Sequence, residues 1–278
     1  MKMRRWPAAL LLATQLLAPA PCRQADLFSQ TASTELNRLF SGRGLEWLLL
    51  DNVGRVLAQN WSDADLPVAP GSLLKPFVAV AYGEQHDAVF PHILCTGTNS
   101  RCWLKHGHGR IGLEAAIAGS CNTYFLFLAS SLDRQQAQSY FDSIGLHNLP
   151  SDAGADTLIG LTGLWRVSPL ILARAYLSLS SSSTDVTIGR VRAGMRDAAE
   201  TGTARDVDVA LGARAALAKT GTAMCLHPSH APADGFAVVL FPAAQPRVVL
   251  FVRMHGTTGA HAAAQAGAML RAIGMSAP

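Results

Sequence analysis

The chain has 278 residues, enough to bury a substantial core in one large domain or two small ones. Hydrophobic residues make up 49% of it and charged residues 15%, a composition that excludes an intrinsically disordered protein. The net charge of +4 comes without any basic run beyond Arg4-Arg5, so the sequence does not indicate a nucleic-acid surface.

Residues 1–22 have the composition of an export signal. Basic residues within 2–5 precede a short apolar segment, 8–18, and small residues and prolines follow as far as Cys22. The apolar segment falls short of the about 20 residues that a membrane span needs, which favours a cleaved signal over a permanent anchor. Lipid modification of Cys22 is the less favoured alternative. The mature protein is therefore expected to be periplasmic or otherwise extracytoplasmic, with membrane association through an uncleaved or lipidated N-terminus as the alternative.

Export places the remaining cysteines in an oxidising compartment, where a local disulfide between Cys95 and Cys102 is plausible. A zinc site is the alternative, because His106 and His108 follow closely and another His pair follows Cys225. The sequence lacks a tight Cys-x-x-Cys pair, so the disulfide is favoured and no metal is predicted.

The first half of the chain predicts a hairpin followed by helices. Apolar segments 45–50 and 55–59 flank the turn sequence Asp51-Asn-Val-Gly54, as in a β-hairpin. A buried helix is expected to begin at or just before Ser72, with Pro76 in its first turns. Residues 83–110 are rich in glycine, histidine and asparagine and are expected to be irregular. Further helices are predicted over 111–118, 123–131, 133–144, 165–179 and 191–201.

The last third of the chain changes to strand-like segments at 215–223, 235–241 and 247–254, and a helix at 260–273 closes it. This order predicts an α/β (α+β) fold in which both ends of the chain build a mixed, mainly antiparallel sheet around a helical middle. Residues 23–278 are expected to form one domain, since no repeat or linker divides them.

A serine and a lysine stand three residues apart in Gly71-Ser-Leu-Leu-Lys-Pro-Phe77. Positions i and i+3 share one face of a helix, so the amine of Lys75 can lie beside the hydroxyl of Ser72. A neighbouring base is what a serine needs to become a nucleophile. An isolated Ser-x-x-Lys is more often an N-capping serine followed by a solvated lysine. The choice between this interpretation and a catalytic pair depends on the rest of the chain.

Two further motifs favour a catalytic pair. Ser120-Cys-Asn122 falls on a loop between two predicted helices, and Lys219-Thr-Gly-Thr222 falls inside a predicted strand. The first alone fits an ordinary N-cap, and the second alone fits a strand with a glycine bulge. With Ser-x-x-Lys they stand in a fixed order, separated by ~50 and ~100 residues.

This series of motifs resembles the signature of the penicillin-recognising serine enzymes, the penicillin-binding proteins and serine β-lactamases. The similarity covers most of the chain from about Leu45 onward. Segment 106–125 is similar to the approach to the second motif in transpeptidase domains, and 159–170 resembles the glycine-rich segment before a helix. Segment 234–242 is similar to the strand after Lys-Thr-Gly.

The resemblance implies a set of catalytic residues. Ser72 would attack the carbonyl of a D-Ala–D-Ala peptide, or of a β-lactam that mimics it, with Lys75 as the general base. Ser120 would pass a proton toward the leaving nitrogen. Asn122 would hold Lys75 or the substrate amide, and Lys219 would supply positive charge.

The resemblance also implies substrate-binding residues on the strand of the third motif. The hydroxyls of Thr220 and Thr222 would hold the terminal carboxylate, and Gly221 would keep the strand bare for an added substrate strand. The backbone N–H groups of Ser72 and Thr222 would form an oxyanion hole. Cys225 would then lie about 20 Å along an extended strand from Lys219, so no bond between Cys121 and Cys225 is expected unless the chain turns after Ala223.

The expected partners are peptidoglycan stem peptides, β-lactams as covalent inhibitors and cell-wall assembly proteins, with no nucleic acid and no cofactor. A mature chain of about 255 residues matches a lone catalytic domain, and its size fits a β-lactamase equally well. Class A lactamases add a glutamate between the second and third motifs, whereas no glutamate occurs here between Glu114 and Glu200. A transpeptidase-like enzyme is therefore favoured over a β-lactamase, and a non-catalytic sensor or scaffold is the third alternative.

Overall fold

The computed structural model describes residues 22–42, 44–180, 184–224 and 233–276. Apart from Cys22, the predicted signal peptide lies outside the described residues, and so do Cys225, His227 and His230. In chain order the elements are α1 (Cys22–Leu39), β1 (Leu45–Asp51), β2 (Val56–Gln59), α2 (Lys75–Gln85), β3 (Ile93–Cys95), β4 (Gly109–Ile111), α3 (Leu113–Ala118), α4 (Asn122–Ser130) and α5 (Arg134–Ser143). They continue with α6 (Ala155–Leu158), α7 (Pro169–Ala175), α8 (Val186–Glu200), α9 (Asp206–Leu211), β5 (Leu217–Met224), β6 (Ala233–Phe241), β7 (Val248–His255) and α10 (Gly259–Ala272).

The central sheet has the strand order β2-β1-β7-β6-β5, and each of these pairings is antiparallel. Strand β7 lies in the middle, with its Phe251 opposite Leu48 of β1 on one side and Val238 of β6 on the other. The two ends of the chain therefore build the sheet together, and the helical middle is inserted between β2 and β5. This confirms the predicted fold class.

Both faces of the sheet are covered. Successive side chains of β1 alternate between two cores, with Leu48 and Leu50 on one face and Trp47 and Leu49 on the other. The first core is filled by the helical middle of the chain, and the second by residues of α1, α9 and α10. Burial on both faces explains why the segment 47–50 of β1 is continuously apolar rather than alternating.

The structure differs from the sequence prediction in its less apolar segments. The segment 83–110, predicted to be irregular, contains the two-stranded sheet of β3 and β4. The polar segment before β1 is the helix α1, which buries Ala32 and Leu36 on one side. The short helices α6 and α9 were not predicted, and α8 begins five residues before the predicted Val191, where the Asp185 side chain accepts from the Ile188 N–H.

None of the helices in the described ranges combines the length and apolar character that a membrane crossing needs.

Candidate active site

Ser72 lies in a 3-10 turn, Gly71–Leu74, that runs directly into α2. Gly71 has a φ of +57°, and a Cβ there would stand 2.6 Å from the carbonyl oxygen of Thr222 on β5. The hydroxyl of Tyr176 donates to the Leu73 carbonyl at 2.7 Å. These contacts hold the half-buried Ser72 against the third motif, 150 residues away in sequence.

Lys75 begins α2 one turn after Ser72 and is completely buried. Its amine donates to Asn122 Oδ1 at 2.6 Å, to the Ser120 carbonyl at 2.7 Å and to Ser120 Oγ at 3.3 Å. Burial lowers the pKa of Lys75 to about 7, although the thiols of Cys121 and Cys102 act to raise it. A lysine with such a pKa is a competent base near neutrality, as the first motif requires.

Ser120 lies between the two buried lysines. Lys219 donates to Ser120 Oγ at 2.9 Å and to the Thr220 carbonyl at 2.8 Å. Burial also lowers the pKa of Lys219, and the charge of Lys75 lowers it further. Ser120 itself has a φ of +51°, a backbone conformation that is strained for a non-glycine residue and is typical of functional sites. Its hydroxyl can therefore relay a proton between groups on either side.

Strand β5 forms the edge of the sheet in the part of the chain that the structure describes, so an extended peptide can pair with it. The structure adds a packing reason for glycine at position 221. A Cβ at this position would meet the Pro70 carbonyl oxygen at 2.7 Å and Leu73 Cγ at 2.9 Å. Glycine fits there because the Ser72 turn packs directly on β5.

The motifs meet at a pocket of about 410 Å³, a volume typical of small-ligand sites. Six predicted site residues line it: Ser72, Ser120, Asn122, Thr220, Gly221 and Thr222. Lys75 and Lys219 lie beneath them, fully buried. The predicted site residues therefore come together, with the hydroxyl of Thr220 donating to Thr203 at 2.7 Å and Thr222 Oγ1 accepting from the Gly259 N–H.

Sequence reasoning missed part of the lining, namely Trp103, Leu161, Thr203, Thr258 and Ala260. Trp103 is half exposed, and its indole N–H donates to the carbonyls of Gly119 and Ser120. Of these five residues, only Trp103 could have been singled out from the sequence, as a large aromatic residue in a polar segment. No motif marks the other four.

No carboxylate lines this pocket among the described residues. The two glutamates weighed in the sequence are engaged elsewhere. Glu114 accepts from Arg190 at 2.6 Å, and Glu200 accepts from Arg214 at 2.6 Å. Among the residues that the structure describes, the pocket therefore has no acidic side chain placed to activate a water molecule against an ester on Ser72.

The predicted disulfide between Cys95 and Cys102 is wrong, since both are free and buried. Each sulfur instead contacts Nδ1 of His108, at 3.6 Å and 3.5 Å respectively. Cys121, inside the second motif, joins the same group. These four side chains are the described residues whose arrangement could hold a metal ion.

The chain matches the family model of the penicillin binding protein transpeptidase domain over residues 60–274. It belongs to this family. The match includes all three motifs and the sheet strands from β5 onward, so the resemblance inferred from the motifs is confirmed.

Individual relatives are more distant. The peptidoglycan D,D-transpeptidase MrdA of Acinetobacter baumannii is 29% identical over 119 residues, a match that covers 38% of this chain and 17% of that protein. The chain thus matches about a sixth of this curated relative. The crystal structure of Pseudomonas aeruginosa PBP2 in complex with WCK 5153 is 18% identical, with a TM-score of 0.71 over 90% of this chain and 76% of that one. Helicobacter pylori PBP2, solved as a complex with MreC, is 16% identical, with a TM-score of 0.72 over 88% of this chain and 63% of that one.

Proposed function

We propose that this transpeptidase-family protein is a serine acyltransferase, a D,D-transpeptidase or D,D-carboxypeptidase, that acts on D-Ala–D-Ala stem peptides of peptidoglycan. The observation that carries the proposal is the pair of buried lysines whose amines meet at Ser120 Oγ beneath the pocket lined by Ser72. Burial of a lysine amine without a carboxylate partner costs folding free energy. Activation of a neighbouring hydroxyl is a function that such an amine can perform.

The first half-reaction forms an ester on Ser72. Neutral Lys75 takes the hydroxyl proton as Ser72 Oγ attacks the carbonyl of the penultimate D-Ala. Ser120, in contact with both amines, passes a proton to the leaving nitrogen as the C–N bond breaks, so that D-Ala departs as an amine. The N–H groups of Ser72 and Thr222 would stabilise the oxyanion, a contribution of roughly 3–4 kcal/mol for each donor.

The second half-reaction transfers the acyl group. An amine of a second stem peptide, or water, attacks the ester carbonyl, and Ser72 Oγ leaves and regains its proton. The absence of a carboxylate among the described lining residues supports a long-lived acyl-enzyme and argues against rapid β-lactam hydrolysis. The substrate's terminal carboxylate would lie at Thr220 and Thr222, and its charge would favour the protonated form of Lys219.

The proposal includes the setting of the enzyme. Export by a signal peptide at residues 1–22 would bring the domain, residues 23–278, to the periplasm, where stem peptides and β-lactams are met. The complex of the Helicobacter pylori relative with MreC supports cell-wall assembly proteins as partners.

A fluorescent-penicillin time course tests the proposal. Wild-type protein should acquire a label that persists for the length of the assay, and Ser72→Ala should remain unlabelled. Nitrocefin should be consumed in about one equivalent per chain and no further. Rapid loss of the label with steady nitrocefin hydrolysis would identify a β-lactamase, and no labelling of folded wild-type protein would favour a sensor or scaffold.

A further inference from the structure

Four side chains with metal-binding atoms lie together behind the second motif. Cys95 ends β3, Cys102 follows the next 3-10 turn, His108 precedes β4, and Cys121 precedes α4. Their three sulfurs and one ring nitrogen all lie within 4.8 Å of one another. The mechanism proposed above uses none of them, so the cluster needs its own explanation.

The distances in the cluster match a tetrahedral zinc site. Zn–S bonds of about 2.3 Å and Zn–N bonds of about 2.0 Å at tetrahedral angles place sulfurs about 3.8 Å apart and sulfur and nitrogen about 3.5 Å apart. Here Cys102 Sγ lies 3.9 Å from Cys121 Sγ and 3.5 Å from His108 Nδ1, and Cys95 Sγ lies 3.6 Å from that nitrogen. Three sulfurs thus surround a common centre with one nitrogen.

The donor set and its surroundings also suit zinc. Three cysteines and one histidine form a donor set of structural zinc sites, and thiolates select soft or borderline metals. The cysteines are each at least 96% buried, as a closed structural site requires. The Thr123 hydroxyl donates to the sulfur of Cys95 at 3.3 Å, a contact of the kind that orients a thiolate ligand.

Glycines around the cluster allow its backbone segments to come close together. Gly97 and Gly107 both have a φ of +78°, and a Cβ on either would lie about 2 Å from a carbonyl oxygen of the facing segment. A Cβ at Gly119 would stand 2.8 Å from Nε2 of His108. Bare backbone at these glycines lets the loop fold back on itself and turns Nδ1 of His108 toward the sulfurs.

We propose that Cys95, Cys102, His108 and Cys121 bind one zinc ion as a structural site. This inference goes beyond the proposed function and departs from the prediction of no metal. Cys121 lies between Ser120 and Asn122, so the ion would anchor the loop that carries the three hydrogen-bond acceptors of Lys75. The four ligands would be positioning residues, since none of them lines the pocket.

Metal analysis of the purified full-length chain tests the site. Elemental mass spectrometry should find about one zinc per chain in wild type, and loss of most of it in Cys102→Ser and in His108→Ala. His106→Ala is the matched control, because His106 is an exposed histidine in the same loop outside the cluster, and it should keep the zinc. Equal zinc contents in all four proteins would overturn the proposal.

Wild-type protein alone gives a second measurement, which holds even where a variant fails to fold. Removal of metal with a chelator should lower the melting temperature, and added ZnCl₂ should restore it. Stoichiometric Co²⁺ should give thiolate-to-cobalt absorption bands. If the protein binds neither ion, or peptide mapping without reductant finds Cys95 bonded to Cys102, the proposal fails. Metal content is read without any acylation assay, so this failure is distinct from failure of the proposed function.

Discussion

At the scale of single residues, the site is defined by two amines buried without a counter-ion in the described structure. Lys75 and Lys219 meet on opposite sides of one hydroxyl, Ser120 Oγ. Lys75 contacts the second motif through three acceptors, so one residue links the first motif to the second. If Lys75 is a base, its replacement should lower the acylation rate more than it disturbs the fold.

Replacement of Lys75 by methionine tests that role. Lys75→Met keeps the length of the side chain and removes the base, so acylation by penicillin should fall by about 10²–10⁴-fold. Lys105→Met, which changes an exposed lysine in the loop before β4, should leave the rate unchanged. A folded Lys75→Met protein that acylates at the wild-type rate would contradict a base at this position.

The pH dependence of acylation follows from the same residue. Burial brings the pKa of Lys75 down from 10.5 to about 7, and only the neutral amine accepts a proton. The titratable groups around it are Lys219 on β5 and the thiols of Cys121 and Cys102. The acylation rate should therefore rise with pH through about 7 and level off above it. Stopped-flow labelling from about pH 5 to about pH 9 measures this, and a flat or falling profile would contradict it.

At the scale of elements, the sequence predicted the segments that carry a clear apolar pattern, a turn sequence or a catalytic motif. The apolar run of β1 and the turn at 51–54 marked the hairpin, and the three motifs marked the site residues. Segments with few apolar residues were missed. Within residues 27–39 of α1, whose side chains the structure describes, only Ala32 and Leu36 are buried. Strands β3 and β4 are three residues each, too short to show a period.

The sequence also could not predict contacts between elements that are distant in the chain. The reason for Gly221 could not be seen in Lys219-Thr-Gly-Thr222, because it depends on Pro70 and Leu73 of the Ser72 turn. Likewise, Cys95 and Cys102 suggested a local pair, whereas the fold adds Cys121 from the start of α4. Short spacing in sequence favoured the wrong partner for each sulfur.

The packing of the Ser72 turn on β5 can be tested by adding one methyl group. Gly221→Ala should lower the free energy of unfolding by about 1–3 kcal/mol, because its Cβ would stand 2.7 Å from the Pro70 carbonyl oxygen. Gly189→Ala is the matched control. Gly189 is exposed in α8 with nothing within 4 Å of an added Cβ, and alanine there should stabilise by up to about 1 kcal/mol. Urea unfolding measures both, and equal effects of the two changes would contradict this packing.

At the scale of the whole molecule, the sheet joins the two ends of the chain through a buried group of charges. Arg253 of β7 pairs with Asp234 of β6 at 3.0 Å and with Glu46 of β1 at 3.2 Å. His255 lies 2.7 Å from the same aspartate. Partial burial raises the pKa of Glu46, although the charges of Arg253 and His255 act to lower it. The network fixes β1 from the N-terminal part against the C-terminal strands.

Removal of the central cation should therefore unfold the sheet more easily. Arg253→Met leaves the buried Asp234 and the partly buried Glu46 without their guanidinium partner, and should cost about 3–5 kcal/mol of stability. Arg38→Met removes a surface ion pair with Glu35 and should leave the unfolding midpoint where it is. Thermal and urea unfolding of the two variants would compare them, and a near-wild-type Arg253→Met would show that the network contributes little.

The central claim is that Ser72 becomes acylated in a pocket formed by the helical middle of the chain and its C-terminal part. Intact-protein mass spectrometry after exposure to penicillin, followed by peptide mapping, tests it most directly. The account predicts a mass increase of one whole β-lactam, located on the peptide that contains Ser72 and absent from Ser72→Ala. An adduct on another residue, or none on folded wild-type protein, would contradict it.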